Sequence, residues 1–440
     1  MAQYRIAAGS AADLVRRIEG AVAAGDLSPG QGLPSVRQLA TEVGLSPATV
    51  SAALGELRRR GVVITEPRRG TRIGEGPPIG SSRPALPVPP GARDLSSGNP
   101  DPELLPDLNL ALSRSEIPVR LYGEPSLHAG LAALARAQLQ ADGVSCEELC
   151  VVSGALDGME RVLQAHLRPG DRVAVENPGY AALYDLLRAQ GLLLEPVAVD
   201  DRGMLPTELQ EALSRGAAAV IITPRGQNPT GAALDSRRAG ELGEVLGRYL
   251  DVLLLEDDHL GAVAGSELHT LTAGRRRWGA TKSVAKALGP DLRLAVLAGD
   301  GATIARVQGR QQCGPGWVSH LLQALVHGLW SDPDVEAHVA RASETYSVRR
   351  GRLLEHLGGL GVNAHGACGL NVWVPVPDEA SVTASLLQRG WVVASGAPYR
   401  LAASPPAIRV TTATLGETEA EPLARDVVEA LAPARAVRSG

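Results

Sequence analysis

The larger part of the sequence, from Asp94 onward, alternates between strand and helix patterns. Such alternation is typical of an α/β domain with a mostly parallel central sheet. Four candidate strands fall at residues 172–176, 218–223, 252–256 and 292–297. Polar residues follow three of these strands directly. Because ligands of open α/β sheets bind beyond the carboxyl ends of the strands, we expect these loops to meet at one crevice.

Lysine usage singles out one segment of the chain. There are two lysines, Lys282 and Lys286, beside 41 arginines. Arginine supplies positive charge at least as well, whereas only an amine with an adjustable pKa forms a Schiff base with a carbonyl. The two lysines therefore indicate a nucleophilic site. The alternative, that they persist by chance in an arginine-rich chain, stays open on this observation alone.

The neighbours of Lys286 favour the nucleophilic interpretation. Ser283 precedes it in an S-x-x-K motif, Arg293 follows seven residues later, and an apolar segment spans residues 294–297. This arrangement resembles the cofactor-lysine motif of fold-type I pyridoxal phosphate enzymes of the aminotransferase class. The resemblance implies that Lys286 is the catalytic lysine, which carries the cofactor as an internal aldimine. It also implies that Ser283 and Arg293 bind the cofactor phosphate and that Lys282 is only a neighbour.

Four further segments lie in the order expected for the same family. They are the small-residue turn at 152–158, the Asn-Pro-Gly-Tyr segment at 177–180, the loop at 223–231 with its N-P-T-G sequence, and the Asp-Asp-His segment at 257–259. A turn of small residues that opens a helix suits a phosphate group. With the lysine motif, the set resembles an aminotransferase class I/II domain that reaches to about residue 431.

The resemblance gives individual residues a role at the cofactor. Gly154 and Ala155 would offer backbone amides to the phosphate, and Tyr180 would stack on the pyridine ring. Asn228 would hydrogen-bond the ring hydroxyl oxygen. Asp257 would pair with the pyridinium nitrogen and keep the ring an electron sink. Taken singly, Asn228 also fits a turn before a proline, and Asp257 also fits a surface acid.

Two more residues extend this set. His259 lies where relatives usually have tyrosine; an imidazole can still donate to the ring hydroxyl, and we expect its charge to change with pH near neutrality. Arg409 lies where the family has a carboxylate-binding arginine, and a forked guanidinium suits that anion, although an internal ion pair would explain it too. Arg225 has no assigned role, and the arginines of residues 274–277 are interpreted as a solvated loop.

The first 76 residues read as three short helices followed by a hairpin. Ser10, Ser35 and Ser46 are capping residues, and Pro47 suits the first helical position. β-Branched residues at 62–65 and a return segment at 67–73 predict a two-stranded wing. The sequences L-P-S-V-R-Q-L-A, G-L-S-P-A-T-V-S-A-A-L and R-R-G-T-R-I resemble the winged-helix domain of GntR-family transcription regulators across residues 10–73. The alternative is a small helical domain with a solvated basic face.

The same resemblance implies that the N-terminal domain binds double-stranded operator DNA. Its net charge of +3 over residues 1–76, against −8 for the remainder, fits a nucleic-acid module on an acidic body. The residues implied to face DNA, the last two at the wing tip, are Arg37, Ser46, Ala48, Thr49, Ser51, Arg69 and Gly70.

The predicted layout has three parts. A winged-helix domain covers residues 1–76, a linker with six prolines covers 77–93, and an aminotransferase-like domain with a smaller C-terminal α+β subdomain covers 94–440. This layout resembles the MocR subfamily of GntR-type regulators, whose members are typically head-to-tail homodimers. It implies a regulator that depends on pyridoxal 5'-phosphate and senses that cofactor, an amino compound, or both. The alternatives are a competent aminotransferase with an attached DNA module and a scaffold that no longer holds cofactor.

Composition bears on the cellular location of the protein and on whether it holds metals or disulfides. No run of 18 apolar residues and no hydrophobic signal core is present, so we expect a cytoplasmic protein. The four cysteines include one C-x3-C but no second pair or histidines in zinc spacing. Buried or free thiols are therefore expected, and neither a metal site nor disulfides.

Overall fold

The computed structural model describes most of the chain, namely residues 9–59, 61–66, 70–74, 88–115, 117, 119–146, 148–402 and 404–432. The helices α1 to α15 span, in chain order, Ala11–Ala23, Val36–Val43, Pro47–Arg59, Leu108–Arg114, Ala129–Ala141, Ala155–His166, Ala181–Ala189, Pro206–Ser214, Ser236–Gly247, Ala285–Leu288, Gly301–Gln312, His320–Ser331, Pro333–Gly359, Glu379–Gln388 and Ala420–Leu431. The strands β1 to β15 span Val63–Glu66, Gly70–Ile73, Arg93–Asp94, Glu148–Val152, Arg172–Asn177, Leu193–Asp200, Gly203–Met204, Ala217–Ile222, Leu253–Asp258, Trp278–Ser283, Ala295–Gly299, Asn371–Pro375, Trp391–Val392, Ala394–Ser395 and Ala407–Thr411.

The N-terminal domain has the predicted caps and turn. The Ser10 hydroxyl accepts the Asp13 amide at the start of α1, and Ser35 forms a capping box at the start of α2. Helix α2 ends at Gly44, whose φ of 72° is the left-handed conformation that glycine adopts at little cost. Helix α3 follows after a short turn, with the Ser46 hydroxyl accepting the Thr49 amide. This is the helix-turn-helix geometry predicted from the sequence.

An apolar core joins the three helices to the antiparallel hairpin of β1 and β2. Leu14, Ile18, Val50 and Leu57 are fully buried there. Full burial of such side chains contributes about 1.5–3 kcal/mol each. The hairpin is the predicted wing, and its outer turn, residues 67–69, lies outside the described residues.

The large domain is built on an eight-stranded sheet in the order β4-β11-β10-β9-β8-β5-β6-β7. Strands β8, β9 and β10 pair in parallel, and β11 runs antiparallel to both β10 and β4. Their apolar residues, among them Val220, Leu254 and Val296, are fully buried. Runs buried on both faces are typical of the α/β class, so this prediction is confirmed.

Three of the four predicted strands correspond to β5, β8 and β9, within two residues at either end. The fourth prediction, 292–297, was wrong at its start. Leu292 ends a 3-10 turn that begins at Pro290, and Arg293 has a left-handed φ of 43°. Strand β11 therefore begins only at Ala295 and is antiparallel.

The predicted smaller C-terminal subdomain is α+β. Strand β15 pairs antiparallel with β12 and β14, and α13, α14 and α15 pack around a core that includes Val374, Ile408 and Leu423. The short strand β3 pairs in parallel with β13. Most of the predicted linker, residues 77–87, lies outside the described residues, whereas its last residue, Arg93, belongs to β3. No helix among the described residues is both long and apolar enough to cross a membrane.

Candidate functional site

The two lysines lie in different environments. Lys286, in the short helix α10, is half-buried, and its Nζ donates to the Gly98 carbonyl oxygen at 2.7 Å. Burial, and secondarily the charge of Arg409, lowers the pKa of Lys286 to about 8. A larger fraction of this amine is consequently neutral, and so nucleophilic, near physiological pH.

Lys282 forms ion pairs instead. Its Nζ lies 2.5 Å from an oxygen of Asp142 and 3.9 Å from one of Asp258. The Arg225 guanidinium makes two hydrogen bonds to Asp258, at 2.8 and 2.9 Å, and lies 3.6 Å from Asp142. The two carboxylates thus balance the positive charges of Lys282 and Arg225. This cluster gives Arg225, which the sequence left unassigned, a structural role.

A candidate phosphate site lies between β4 and α6. Gly154 has a φ of 100°, and a Cβ there would come within 3.0 Å of the Arg293 Nη2 atom. Arg293 donates to the Ser153 carbonyl, and Ala155 opens helix α6. Ser283 ends strand β10, and its hydroxyl accepts the Ala285 amide. A helix N-terminus, a glycine turn and a guanidinium are groups that bind phosphate.

The acid predicted to meet the ring nitrogen is buried at the end of β9. The Thr281 hydroxyl donates to Asp257 at 3.1 Å across the parallel strand pair. Burial and then the negative charge of Asp258 raise the pKa of Asp257 to about 7. For Asp258 burial is the largest single effect and raises the pKa, but the hydrogen bonds and charge of Arg225, together with the charges of Lys282 and His259, outweigh it, so its pKa is lowered. A cation beside Asp257 would restore its ionised form, as a pyridinium nitrogen requires.

One electrostatic expectation was wrong. Burial, together with the charge of Lys286, lowers the pKa of His259 to about 4, so the imidazole is neutral throughout the physiological range. Its Nδ1 lies 4.0 Å from an oxygen of Asp257. The sequence alone implied an ordinary pKa for His259, because burial and the position of Lys286 are properties of the tertiary structure. His259 can still act as a neutral hydrogen-bonding group.

Arg409 and Asn228 lie in direct contact. The Arg409 Nη1 donates to the Asn228 side-chain oxygen at 3.1 Å, and Nη2 donates to the Ser96 carbonyl. The Tyr399 ring lies over the guanidinium at 5.1 Å from the ring centroid. The Arg409 Nε is buried without a hydrogen-bond partner among the described residues. The guanidinium is thus a buried cation with internal acceptors on both Nη atoms and an Nε hydrogen that the described residues leave unpaired.

Tyr180 completes the predicted set. It follows β5, and its side chain is 36% exposed, which leaves ring surface available for stacking. Burial and the nearby charge of Asp257 raise its pKa, so the phenol stays neutral.

The sequence missed several residues of the site. Ser96 and Gly98 accept hydrogen bonds from Arg409 and Lys286 through their backbone carbonyls. A backbone contact does not depend on the side chain, so the sequence gives no pattern that predicts it. Tyr399 and Thr281 were missed as well; the S-S-G-N-P sequence around Gly98 was the one available signal.

The predicted solvated loop at residues 274–277 was wrong for one of its arginines. Arg275 is buried, and it donates to the carbonyls of Leu246, Tyr249 and Val252. These hydrogen bonds satisfy acceptors at and beyond the C-terminal end of α9, where helical carbonyls lack intrahelical partners.

The predicted DNA-facing residues lie mainly on the surface of the N-terminal domain. Thr49 is half-buried, with its hydroxyl 2.8 Å from that of Ser46. Arg69 lies outside the described residues. The remaining members of the set are exposed, namely Arg37, Ser46, Ala48, Ser51 and Gly70.

Comparison with known proteins decides the family. Residues 93–427 match the model of the aminotransferase class I and II family. The chain belongs to this family. Residues 10–73 match the model of bacterial regulatory proteins of the gntR family. The two matches together confirm the predicted resemblance to GntR-type regulators of the MocR layout.

Individual relatives support the same layout. The chain is 39% identical over 419 residues to the vitamin B6 salvage pathway transcriptional repressor PtsJ of Salmonella typhimurium, a match that covers 93% of this chain and 96% of PtsJ. It is 28% identical to the HTH-type transcriptional regulator TauR of Rhodobacter capsulatus, with 85% and 86% covered. The structure of Pyrococcus horikoshii kynurenine aminotransferase superposes with a TM-score of 0.70 at 22% identity, covering 78% of this chain and 92% of that one. This last similarity shows the fold.

Proposed function

We propose that this protein is a DNA-binding transcription regulator that depends on pyridoxal 5'-phosphate. The observation that carries the proposal is the environment of Lys286, an amine of lowered pKa in an aminotransferase-type site. The same chain carries a gntR-type domain, and its relative PtsJ is named as a repressor of vitamin B6 salvage. Pyridoxal phosphate, alone or with an amino compound, is the proposed effector.

The residues of the site fit this cofactor. Bound pyridoxal phosphate would supply an aldehyde that reacts with primary amines and a ring that accepts electron density. Lys286 would hold it covalently, and Asp257 would accept a hydrogen bond from its ring nitrogen. Asn228 and His259 would contact the ring hydroxyl, and Tyr180 would stack on the ring. The phosphate would be held by Gly154, Ala155, Ser283 and Arg293.

Arg409 is the proposed anchor for an effector carboxylate. It lies in the same site as Lys286, since the two cations donate to neighbouring carbonyls, those of Ser96 and Gly98. A compound that carries both an amine and a carboxylate would therefore meet both groups at once. The forked guanidinium favours a carboxylate over a monodentate acceptor.

Operator DNA is the proposed macromolecular partner. The exposed residues of the N-terminal domain that would contact it are Arg37, Ser46, Ala48, Ser51 and Gly70, together with Thr49 and, at the wing tip, Arg69. We propose domain limits of 1–76, 77–93 and 94–440 and a cytoplasmic location.

We also propose that the protein is a homodimer in the head-to-tail arrangement of its subfamily. Val119, Leu121 and Tyr122 form an apolar surface, with 87%, 67% and 93% of each side chain exposed. Exposed apolar surface of this kind marks association sites. Two winged helices in a dimer would also match an operator with two half-sites.

A competent aminotransferase remains the second candidate, because the lowered pKa of Lys286 serves turnover as well as sensing. Release of a keto acid from amino donors would favour it. The proposed cofactor role is tested by reducing the protein with borohydride after addition of pyridoxal phosphate and mapping the labelled peptide. We expect the label on Lys286; label on Lys282, or none, would contradict the assignment.

A further inference from the structure

A short backbone segment, Ser96–Gly98, crosses the candidate site; we name it the strap. Its N-terminal side is fixed to the C-terminal subdomain, since the Leu95 amide donates to the Val392 carbonyl and the Leu95 carbonyl accepts the Thr411 amide, both at 2.8 Å. The Leu95 side chain is fully buried. The strap therefore continues from a hydrogen-bonded residue of the subdomain and enters the site.

Inside the site, the strap binds both functional cations. The Ser96 carbonyl accepts from Arg409, and the Gly98 carbonyl accepts from Lys286 at 2.7 Å. Gly98 has a φ of 67°, and a Cβ there would come within 3.3 Å of the Arg409 Nη2. A glycine in this conformation lets the backbone approach the guanidinium closely.

These contacts compete with ligands of the proposed function. The Lys286 ammonium has three hydrogens, but a nitrogen bonded to an aldehyde carbon keeps at most one, after water is released. Covalent attachment of pyridoxal phosphate thus removes donors from the Gly98 carbonyl. A carboxylate that approaches the Nη atoms of Arg409 likewise crowds the Ser96 carbonyl, which already accepts from Nη2.

The strap follows the predicted linker closely, with Asp94 and Leu95 between them. Strand β3 consists of the last linker residue, Arg93, and Asp94. It is held by the Arg93 amide, which donates to the Gly390 carbonyl, and by the Arg93 side chain, which pairs with Glu419 at 2.7 Å. A change in the strap therefore acts on the segment from which the linker departs.

We propose that the strap occupies the effector site when no ligand is bound. Binding of cofactor or effector displaces the strap from Lys286 and Arg409, and this displacement transmits the binding signal to the linker. The inference rests on the proposed function, because it assumes that Lys286 attaches pyridoxal phosphate. The ligand transmits a signal only through its different affinity for the strap-bound and strap-released states.

Hydrogen–deuterium exchange of the full-length protein tests this inference. The reporters are the hydrogen-bonded amides of Arg93, Leu95 and Ser96. In the wild type, pyridoxal phosphate should accelerate their exchange by about 5-fold or more, which is the lower range of allosteric coupling. Amides of β9 should exchange equally with and without the cofactor and serve as the internal control.

Two variants separate the hydrogen bond between Lys286 and the strap from the covalent attachment of pyridoxal phosphate. Lys286→Met lacks the donor, so strap exchange should be fast with and without pyridoxal phosphate. Lys286→Arg keeps a donor but forms no Schiff base, so exchange should stay slow in both conditions. Affinity for a labelled fragment of the protein's own promoter should follow the same pattern.

The visible absorbance of the wild type distinguishes failure of the proposed function from failure of the strap inference. A wild type that does not attach pyridoxal phosphate contradicts the proposed function. A wild type that attaches the cofactor with unchanged strap exchange overturns the strap inference alone. Slow exchange in Lys286→Met, or fast exchange in Lys286→Arg, while β9 exchange is unchanged, also overturns it.

Discussion

Replacing Arg225 by methionine should destabilise the large domain strongly. The side chains of Arg225 and Asp258 are each 7% exposed, and two hydrogen bonds join them. Breaking a buried pair by removing one partner costs about 3–5 kcal/mol, because the other charge stays buried. Lys282, 3.9 Å from Asp258, remains and offsets part of this cost. We therefore expect the low end of the range, about 3 kcal/mol.

Urea unfolding followed by tryptophan fluorescence measures this cost for the large domain alone, because the N-terminal domain has no tryptophan. The five tryptophans are Trp278, Trp317, Trp330, Trp373 and Trp391. With a denaturant slope of about 3 kcal/mol per molar, the midpoint of Arg225→Met should fall by roughly 1 M. The control is Arg237→Met, whose exposed ion pair with Glu241 is worth at most about 0.5 kcal/mol.

The pH dependence provides a second check on the same pair. Asp258 has a folded pKa below its ordinary value, so it contributes stability above the unfolded pKa of about 3.9 and loses it as pH falls. A protonated Asp258 needs no cation, so the difference between wild type and Arg225→Met should shrink below about pH 4. Equal midpoints for Arg225→Met and Arg237→Met at pH 7, or a difference that grows in acid, would refute the reasoning.

Three further predictions concern binding. The rate at which pyridoxal phosphate attaches to the wild type should rise between pH 7 and 9, because the Lys286 pKa of about 8 places deprotonation of the amine in that range. Stopped-flow absorbance measures this rate, and a rate that does not change with pH would contradict the lowered pKa. Arg37→Ala should weaken promoter binding and reduce the slope of log affinity against log salt by about one unit if Arg37 contacts phosphate, whereas an unchanged affinity would remove it from the DNA surface. Arg409→Ala should weaken the response of promoter binding to amino acids while the absorbance titration with pyridoxal phosphate is unaffected; an equal response in both proteins would exclude Arg409 as the carboxylate anchor.

Much of the fold and the order of the site could be predicted from local patterns. Serine caps at Ser10, Ser35 and Ser46 set the helix starts, since capping depends on neighbouring residues only. Parallel strands bring their carboxyl ends to one edge, which is why residues as distant in sequence as Asp257 and Tyr180 could be placed together before the structure was known.

The remainder depends on burial and long-range packing. Gly98 and Lys286 are 188 residues apart, and a backbone carbonyl carries no signature of its partner. The neutral state of His259 follows from its packing, and the buried position of Arg275 follows from carbonyls beyond α9. A run of arginines looks solvated in sequence, although one guanidinium can satisfy several buried carbonyls.

The central claim is that the large domain senses pyridoxal phosphate on behalf of the DNA-binding domain. It is tested most directly by fluorescence anisotropy of a labelled fragment of the protein's own promoter, titrated with full-length protein in the absence and presence of pyridoxal phosphate. We expect the two affinities to differ by about 5-fold or more, and the DNA to change the affinity for pyridoxal phosphate by the same factor. Identical DNA affinities, with visible absorbance showing that the cofactor is bound, would contradict the account.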